Sequence, residues 1–407
     1  ILLNVSGTNT ASGVITLQSA ATIGSTSGVL NLGAISGGFG LIFDGSGNTN
    51  VSGIIGTSTG SVTKSGTGTL TLSGTNTYSG GTTVSGGGVL SISADSGLGN
   101  TAGSLTLSSS TLQSTGTFAL NASRAVTLTG ANRIAVTGGN TLTISQAITD
   151  GGSSGSLIKT DTGTLVLSGP NSYSGGTTVS AGNLNVQTSS GLGTGSATVV
   201  SGAELDLQGG ITVTNLLTLN GTGTTGSGAL VNVSGTNTAS GSITLGSATT
   251  IGSTSGVLNL GAISGAFGLT FAGDGLTNVT GIIGTGANSV TFTGSDTLTL
   301  AGANTYSGGT TITSGIVNVQ NSRGLGTGAA TVVSGAALNL QGGITVTNLL
   351  NLNGTGISGT GALLNVSGTN TASGAITLGS AATIGSTSGV LNLGAISWSL
   401  WFDLCGS

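Results

Sequence analysis

Apolar residues along this chain come mostly in pairs two positions apart, set in polar sequence: Leu70/Leu72, Leu90/Ile92, Leu165/Leu167, Leu184/Val186, Leu298/Leu300 and Val317/Val319. A strand turns successive side chains to opposite faces, so a period of two predicts half-buried β-strands. From Phe118/Leu120 the pairs recur every eight residues, at Val126/Leu128, Ile134/Val136 and Leu142/Ile144. Gly, Asn, Ser and Thr lie between them, and these are turn formers. The spacing therefore predicts separate short strands in this stretch. No segment shows apolar residues at i, i+3 and i+4 with helix caps. The chain reads as all-β.

Self-similarity at long range selects among all-β architectures. The segment from Asn4 to Ser36 (NVSGTNTASGVITLQSAATIGSTSGVLNLGAIS) returns almost verbatim from Asn232 and again from Asn365. A second motif, TLTLSGTNTYSGGTTVSGG, starts at Thr69 and has counterparts at Thr164 and Thr297. Whole blocks thus repeat without disturbing their flanks. A closed sandwich has one core and cannot absorb an extra block; a solenoid can, because each added coil contacts only its neighbours. Two-residue Asn-Gly or Asp-Gly hairpin signals are also scarce. The apolar pair returns after 20 residues from Leu70 to Leu90, which suits a coil of two or three strands. The prediction is a parallel β-helix (β-solenoid) over residues 1–397, a single elongated rod. With strands about 4.8 Å apart, about 17–20 coils would span roughly 80–100 Å. Residues 398–407 form an atypical tail.

Composition sharpens this picture. Of 407 residues 81 are glycine, and only 14 are charged, five Lys or Arg against nine Asp or Glu. Equivalent residues on successive coils lie about 4.8 Å apart, so a column of like charge would repel itself by roughly 1 kcal/mol per step even in water. Uncharged Ser, Thr and Asn stack along such a column instead. The single proline, Pro170, falls in a turn, where no ladder donor is lost. With 36% hydrophobic residues the chain is too apolar for a disordered one. No run of 18 apolar residues occurs, so nothing spans a bilayer as a helix.

Little catalytic chemistry survives that composition. The absence of histidine removes histidine-based nucleophile systems and metal sites, and one cysteine removes disulfides and thiolate zinc sites. Five scattered cations make no phosphate-tracking patch, so nucleic acid is not expected as a partner. No cofactor and no small-molecule substrate are expected. The start, Ile1-Leu2-Leu3-Asn4, carries neither an initiator methionine nor a charged leader region, which predicts an interior piece of a longer precursor.

Residues 65–99, 160–193 and 293–326 share a signature: Asn76-Thr-Tyr78-Ser-Gly80-Gly81, Asn171-Ser-Tyr173-Ser-Gly175-Gly176 and Asn304-Thr-Tyr306-Ser-Gly308-Gly309, each closing in Gly-Leu-Gly. This pattern resembles the autotransporter-associated β-strand repeat, also called the passenger-associated transport repeat. The resemblance implies a right-handed parallel β-helix belonging to the secreted passenger of a Gram-negative type V secretion protein. It implies a C-terminal outer-membrane β-barrel translocator as partner, and a place at the cell surface or outside the cell. It also implies contact with host surfaces or like molecules where passengers act as adhesins or virulence factors.

Each candidate site has a bland reading beside the functional one. Tyr78, Tyr173 and Tyr306 are the only tyrosines; as ligand-stacking rings they would be exposed, and as turn aromatics they would cover apolar surface, the reading we expect. The Gly-Gly pairs are bends rather than phosphate cradles, since no Gly-Lys-Ser/Thr follows them. Gly56-Thr-Ser58-Thr-Gly60 and Gly151-Gly-Ser153-Ser-Gly155 match a nucleophile elbow by letter, but without histidine or a following helix they carry no chemistry. Glu204 and Asp206 share a strand face, the minimum for two-carboxylate glycoside chemistry, yet the parallel copy has Ala337 and Asn339. A solvated pair is expected. Asp44, Asp95, Asp150, Asp161, Asp274 and Asp296 stand isolated, and none lies in a GGxGxD calcium turn. The tail holds both tryptophans and the cysteine, and reads as a cap for the last coil or a reading-frame scar. The functional expectation is a non-enzymatic surface stalk supporting translocation and display. The alternative is an adhesin or self-association module working through polar Thr/Asn faces. A β-helix carbohydrate-active enzyme is a remote third, and ice binding a remote fourth, because Thr69/Thr71, Thr141/Thr143 and Thr297/Thr299 do not recur on every coil.

Overall fold

A computed structural model describes residues 2–398. The described residues hold no α-helix, only short 3-10 turns at Asp95–Leu98 and Ile357–Gly359. The chain forms two compact units, Ile1–Leu205 and Asp206–Ser407, both parallel β-solenoids, with about 19 coils between them.

In the first unit the strand Thr69–Leu72 pairs in parallel with Asn48–Val51 on one side and Val89–Ile92 on the other. Leu70 lies beside Leu90, and Leu90 beside Leu112, so one coil takes 20 or 22 residues. A second file runs through Ala21–Ser25, Leu41–Asp44, Val62–Lys64, Thr82–Val84 and Leu105–Ser108. In the earliest coils Ile15–Thr16, Ile35–Ser36 and Ile55–Gly56 make a third. The period-two pairs do what their spacing demands. Leu70, Leu72, Leu90, Ile92 and Leu112 are all buried at 1% exposure or less, and each buried leucine contributes about 1.5–3 kcal/mol. Coil by coil these side chains stack into one continuous core.

The eight-residue spacing misled in one place. Val126/Leu128 and Ile134/Val136 belong to one 11-residue strand, Val126–Val136, which pairs with Ile148–Thr160. The chain bends at Gly130, whose φ of 68° suits glycine, and the register shifts there without the ladder ending.

The second unit repeats the plan. Thr236–Ala239, Val257–Leu260, Leu276–Val279, Thr297–Leu300, Ile316–Val319 and Ala337–Gln341 stack in parallel register. Beside them run Leu269–Ala272, Val290–Phe292, Thr310–Ile312 and Ala330–Val332.

Outward positions also align. Thr63, Thr83, Thr106, Thr127 and Thr149 occupy one column over five successive coils, and Thr127 Oγ1 donates to Thr106 Oγ1 at 3.0 Å. In the second unit Thr250, Thr270, Thr291, Thr311 and Thr331 form the same kind of column. A single threonine per coil thus does recur, although the Thr-x-Thr pairs do not: Thr71 stands between Asn50 and Ser91. A neighbouring ladder runs Thr10, Asn31 and Asn50, with Asn50 Nδ2 donating to Asn31 Oδ1 at 2.9 Å. The tail, apart from Trp398, lies outside the described residues.

Candidate functional site

Each of the three repeated motifs builds the same polar knot inside the wall of the coil. After Leu72 the chain leaves the regular ladder, and backbone groups there need partners from side chains. Asn76 supplies them. Its Oδ1 accepts from the Ile55 N–H of the preceding coil at 2.8 Å, and its Nδ2 donates to the Gly97 carbonyl of the next at 2.8 Å. Asn171 bridges Ile148 N–H and the Gly191 carbonyl at 2.9 and 2.7 Å. Asn304 bridges Ile283 N–H and the Gly324 carbonyl at 2.8 and 2.7 Å. One side chain therefore ties three coils.

The tyrosine lies beside it. Tyr78, Tyr173 and Tyr306 are wholly buried, and their hydroxyls pair with Thr82, Thr177 and Thr310 at 2.7, 2.6 and 2.7 Å. No face is left for a ligand ring. Burial pushes the Tyr78 hydroxyl up to about 12, and raises Tyr173 and Tyr306 likewise. The glycine pairs close the knot by geometry. Gly81, Gly176 and Gly309 take φ of 83°, 85° and 89°, where a β-carbon is strained. A β-carbon on Gly80, Gly175 or Gly308 would lie within 2.8 Å of the preceding coil's backbone.

Three side chains in this region carried no obvious signal. Lys64 and Lys159 occupy matching positions at the end of an inward strand and are buried. Lys64 Nζ donates to the carbonyls of Ser65 and Gly66. Lys159 Nζ reaches those of Thr160, Asp161 and Ala181 at 2.8, 2.7 and 3.1 Å. Burial lowers both ammonium groups, Lys159 to about 8, against the pull of Asp44 and Asp161. The signal was present in the alternation: Val62 and Lys64 point inward together, and the third copy has Phe292 where the lysine stands. Arg124 is fully buried and pairs with Asp95 at 3.0 Å. It also donates to the carbonyls of Leu98, Gly99 and Gly103. Three of the five cations thus serve the interior.

The remaining candidates gather no chemistry. Glu204 and Asp206 are 6% and 7% exposed, so the expectation of a solvated pair is corrected: their strand, Ala203–Gln208, is inward on nearly every residue. The scattered aspartates act as acceptors between coils. Asp44 takes a bond from Ser65, Asp150 from Ser174 and Asp274 from Ser295. Backbone Gly45 and Ser65 hold Asp44 below the usual carboxylate range, as Ser174 holds Asp150. Ser58 and Ser153 lie on turns with no base beside them in sequence. Among the described residues no group of three or more Asp, Glu or Cys is placed to hold a metal.

Residues 62–92, 157–186 and 290–319 match the passenger-associated-transport-repeat. The chain carries three autotransporter passenger repeats, and each contains one Asn–Tyr–Thr knot. A 69-residue stretch, 17% of this chain, is 39% identical to "Adhesin BmaC autotransporter" of Brucella suis biovar 1 (strain 1330). It spans only 2% of the length of that relative. No solved structure matches the chain.

Proposed function

We propose that this chain is a non-enzymatic β-solenoid stalk from an autotransporter passenger, exposed at the cell surface or secreted, which assists its own translocation and holds other parts of the protein away from the membrane. The observation that supports this most directly is the knot itself. In all three transport repeats, buried polar side chains tie one coil to the next and leave no group facing a ligand. A coil formed outside the cell would offer its successor a ready ladder and a ready Asn acceptor, so folding would advance in one direction. The absence of disulfides suits a chain threaded unfolded through a pore. Its partner would be an outer-membrane β-barrel translocator elsewhere in the full protein.

The test is display. Residues 1–397 are placed between a secretory leader and a translocator barrel, and surface arrival is read by protease accessibility on intact cells. Wild-type sequence should reach the surface folded. The triple variant Tyr78→Ala, Tyr173→Ala, Tyr306→Ala should reach it more slowly and be degraded. Equal display of both would remove the role of the repeats in translocation.

A second reading, adhesion or self-association through the threonine and asparagine ladders, takes its support from the adhesin relative and from the uncharged columns. Clumping of cells that display this segment alone would favour it.

A further inference from the structure

The segments 4–36, 232–264 and 365–397 are nearly one sequence; the last two differ only at Ser242/Ala375 and Thr249/Ala382. The first two are covered by a coil that is also shared, residues 37–56 (GGFGLIFDGSGNTNVSGIIG) and 265–284 (GAFGLTFAGDGLTNVTGIIG). The seating is the same each time. Val29–Leu32 pairs with Asn48–Val51, and Val257–Leu260 with Leu276–Val279; Ile35 pairs with Ile55, and Ile263 with Ile283. The carbonyl of Leu32 accepts from Ser52 N–H, as that of Leu260 does from Thr280, both at 3.1 Å. Under these coils Leu32, Ile35, Leu260 and Ile263 are at most 2% exposed.

The third copy of the seat is bare among the described residues. Leu393 and Ile396, which correspond to Leu260 and Ile263, are 40% and 46% exposed. The sequence that follows, from Trp398, has nothing in common with the covering coil. We propose that the face formed by Val390–Leu393 and Ile396 is a docking site for one more parallel coil with the chemistry of residues 37–56 and 265–284. Its occupant would set a Leu-Thr-Asn-Val or Asn-Thr-Asn-Val strand on Val390–Leu393 and an isoleucine on Ile396. The mode is strand addition: main-chain bonds give affinity, and the alternating apolar side chains fix register. A second copy of this chain is not the occupant favoured, because its first coil is of the 4–36 type, and in neither covered case does a coil of that type sit on this seat.

The test uses the whole chain. A synthetic peptide of residues 265–284 is added in excess and amide exchange is followed. Slowed exchange across 390–397, with no change at 29–35, supports the proposal, as does loss of that protection in Leu393→Asp. Because a free 20-residue peptide binds weakly, a second protein carries residues 265–289 grafted in place of 398–407. Exchange at 390–397 should then slow at least tenfold. Unchanged exchange in the graft overturns the proposal. So does concentration-dependent dimerisation that protects 390–397 without peptide, since the seat would then take another copy.

Discussion

The first and third transport repeats share a backbone and one knot, yet they satisfy the surrounding carbonyls in opposite ways. In the first, in the unit Ile1–Leu205, the cations Lys64 and Arg124 are buried to reach carbonyls that the ladder leaves over. In the third, in the unit Asp206–Ser407, Phe292 stands at the lysine position. There a neutral amide, Asn348 Nδ2, donates to the carbonyls of Gly326 and Gly328 at 3.2 and 2.7 Å. Gly326 closes its Gly-Leu-Gly turn as Gly99 closes the first. The demand for donors is therefore set by the fold, while the charge of the donor is free to vary. A buried cation is the more brittle solution, because its loss strands both a desolvated partner and several carbonyls. A neutral amide leaves less behind.

The largest expected effect follows from that asymmetry. Arg124→Ala should destabilise the first unit by about 3–5 kcal/mol, as removal of one member of a buried ion pair does, whereas Asn348→Ala should cost about 1–3 kcal/mol. Denaturant unfolding read through amide exchange at 95–125 and 323–350 compares them directly. Equal losses would mean that charge adds nothing to the first repeat. Next, Tyr78→Ala and Tyr306→Ala should each cost about 3–5 kcal/mol through the cavity they leave. Since the knot is common to both repeats, the two values should agree. Alkali gives a smaller, shared effect. Tyr78 ionises near 10 when unfolded and near 12 when folded, so the folded state holds its proton longer. Its contribution is whole below pH 10 and is lost as pH rises through 12, about 2.7 kcal/mol for a shift of two pH units. Tyrosinate absorbance should therefore rise together with loss of β-sheet circular dichroism, not before it.

These contrasts also show what could be read without coordinates. The strand period, the coil length and the parallel stack were legible because burial of Leu70, Leu90 and Leu112 imposes a period of two and a return of about 20 residues, and duplication made both visible. The break at Val126–Val136 was not, because Gly130 looks like a turn glycine whether the ladder stops or bends there. The knot was legible as a motif but not as a connection: Asn76 reaches 21 residues back to Ile55 and 21 forward to Gly97, contacts that no local pattern encodes. Arg124 was hidden for the same reason, with its partner Asp95 29 residues away. Glu204 and Asp206 were misjudged because carboxylates are usually solvated, and nothing nearby in sequence announced an interior strand.

The smallest effect tests the comparison most sharply, since it turns the first solution into the second. Lys159→Phe brings into the second repeat the residue that Phe292 provides in the third. It removes a desolvated ammonium, which favours folding, and it strips Thr160, Asp161 and Ala181 of a donor, which opposes it. The two terms are of similar size, so stability at pH 7 should change by less than about 1.5 kcal/mol. The pH profile carries the diagnosis. Burial depresses Lys159 to about 8 from an unfolded value near 10.5, so between those values the unfolded chain binds the extra proton. The wild-type protein should gain stability as pH rises from about 8 to 10, before the tyrosines reverse the trend. The phenylalanine variant should lose that rise and keep the tyrosine fall. A variant that still gained stability over this range would show that the ammonium titrates normally, and that the carbonyls around it compensate fully for its removal from water.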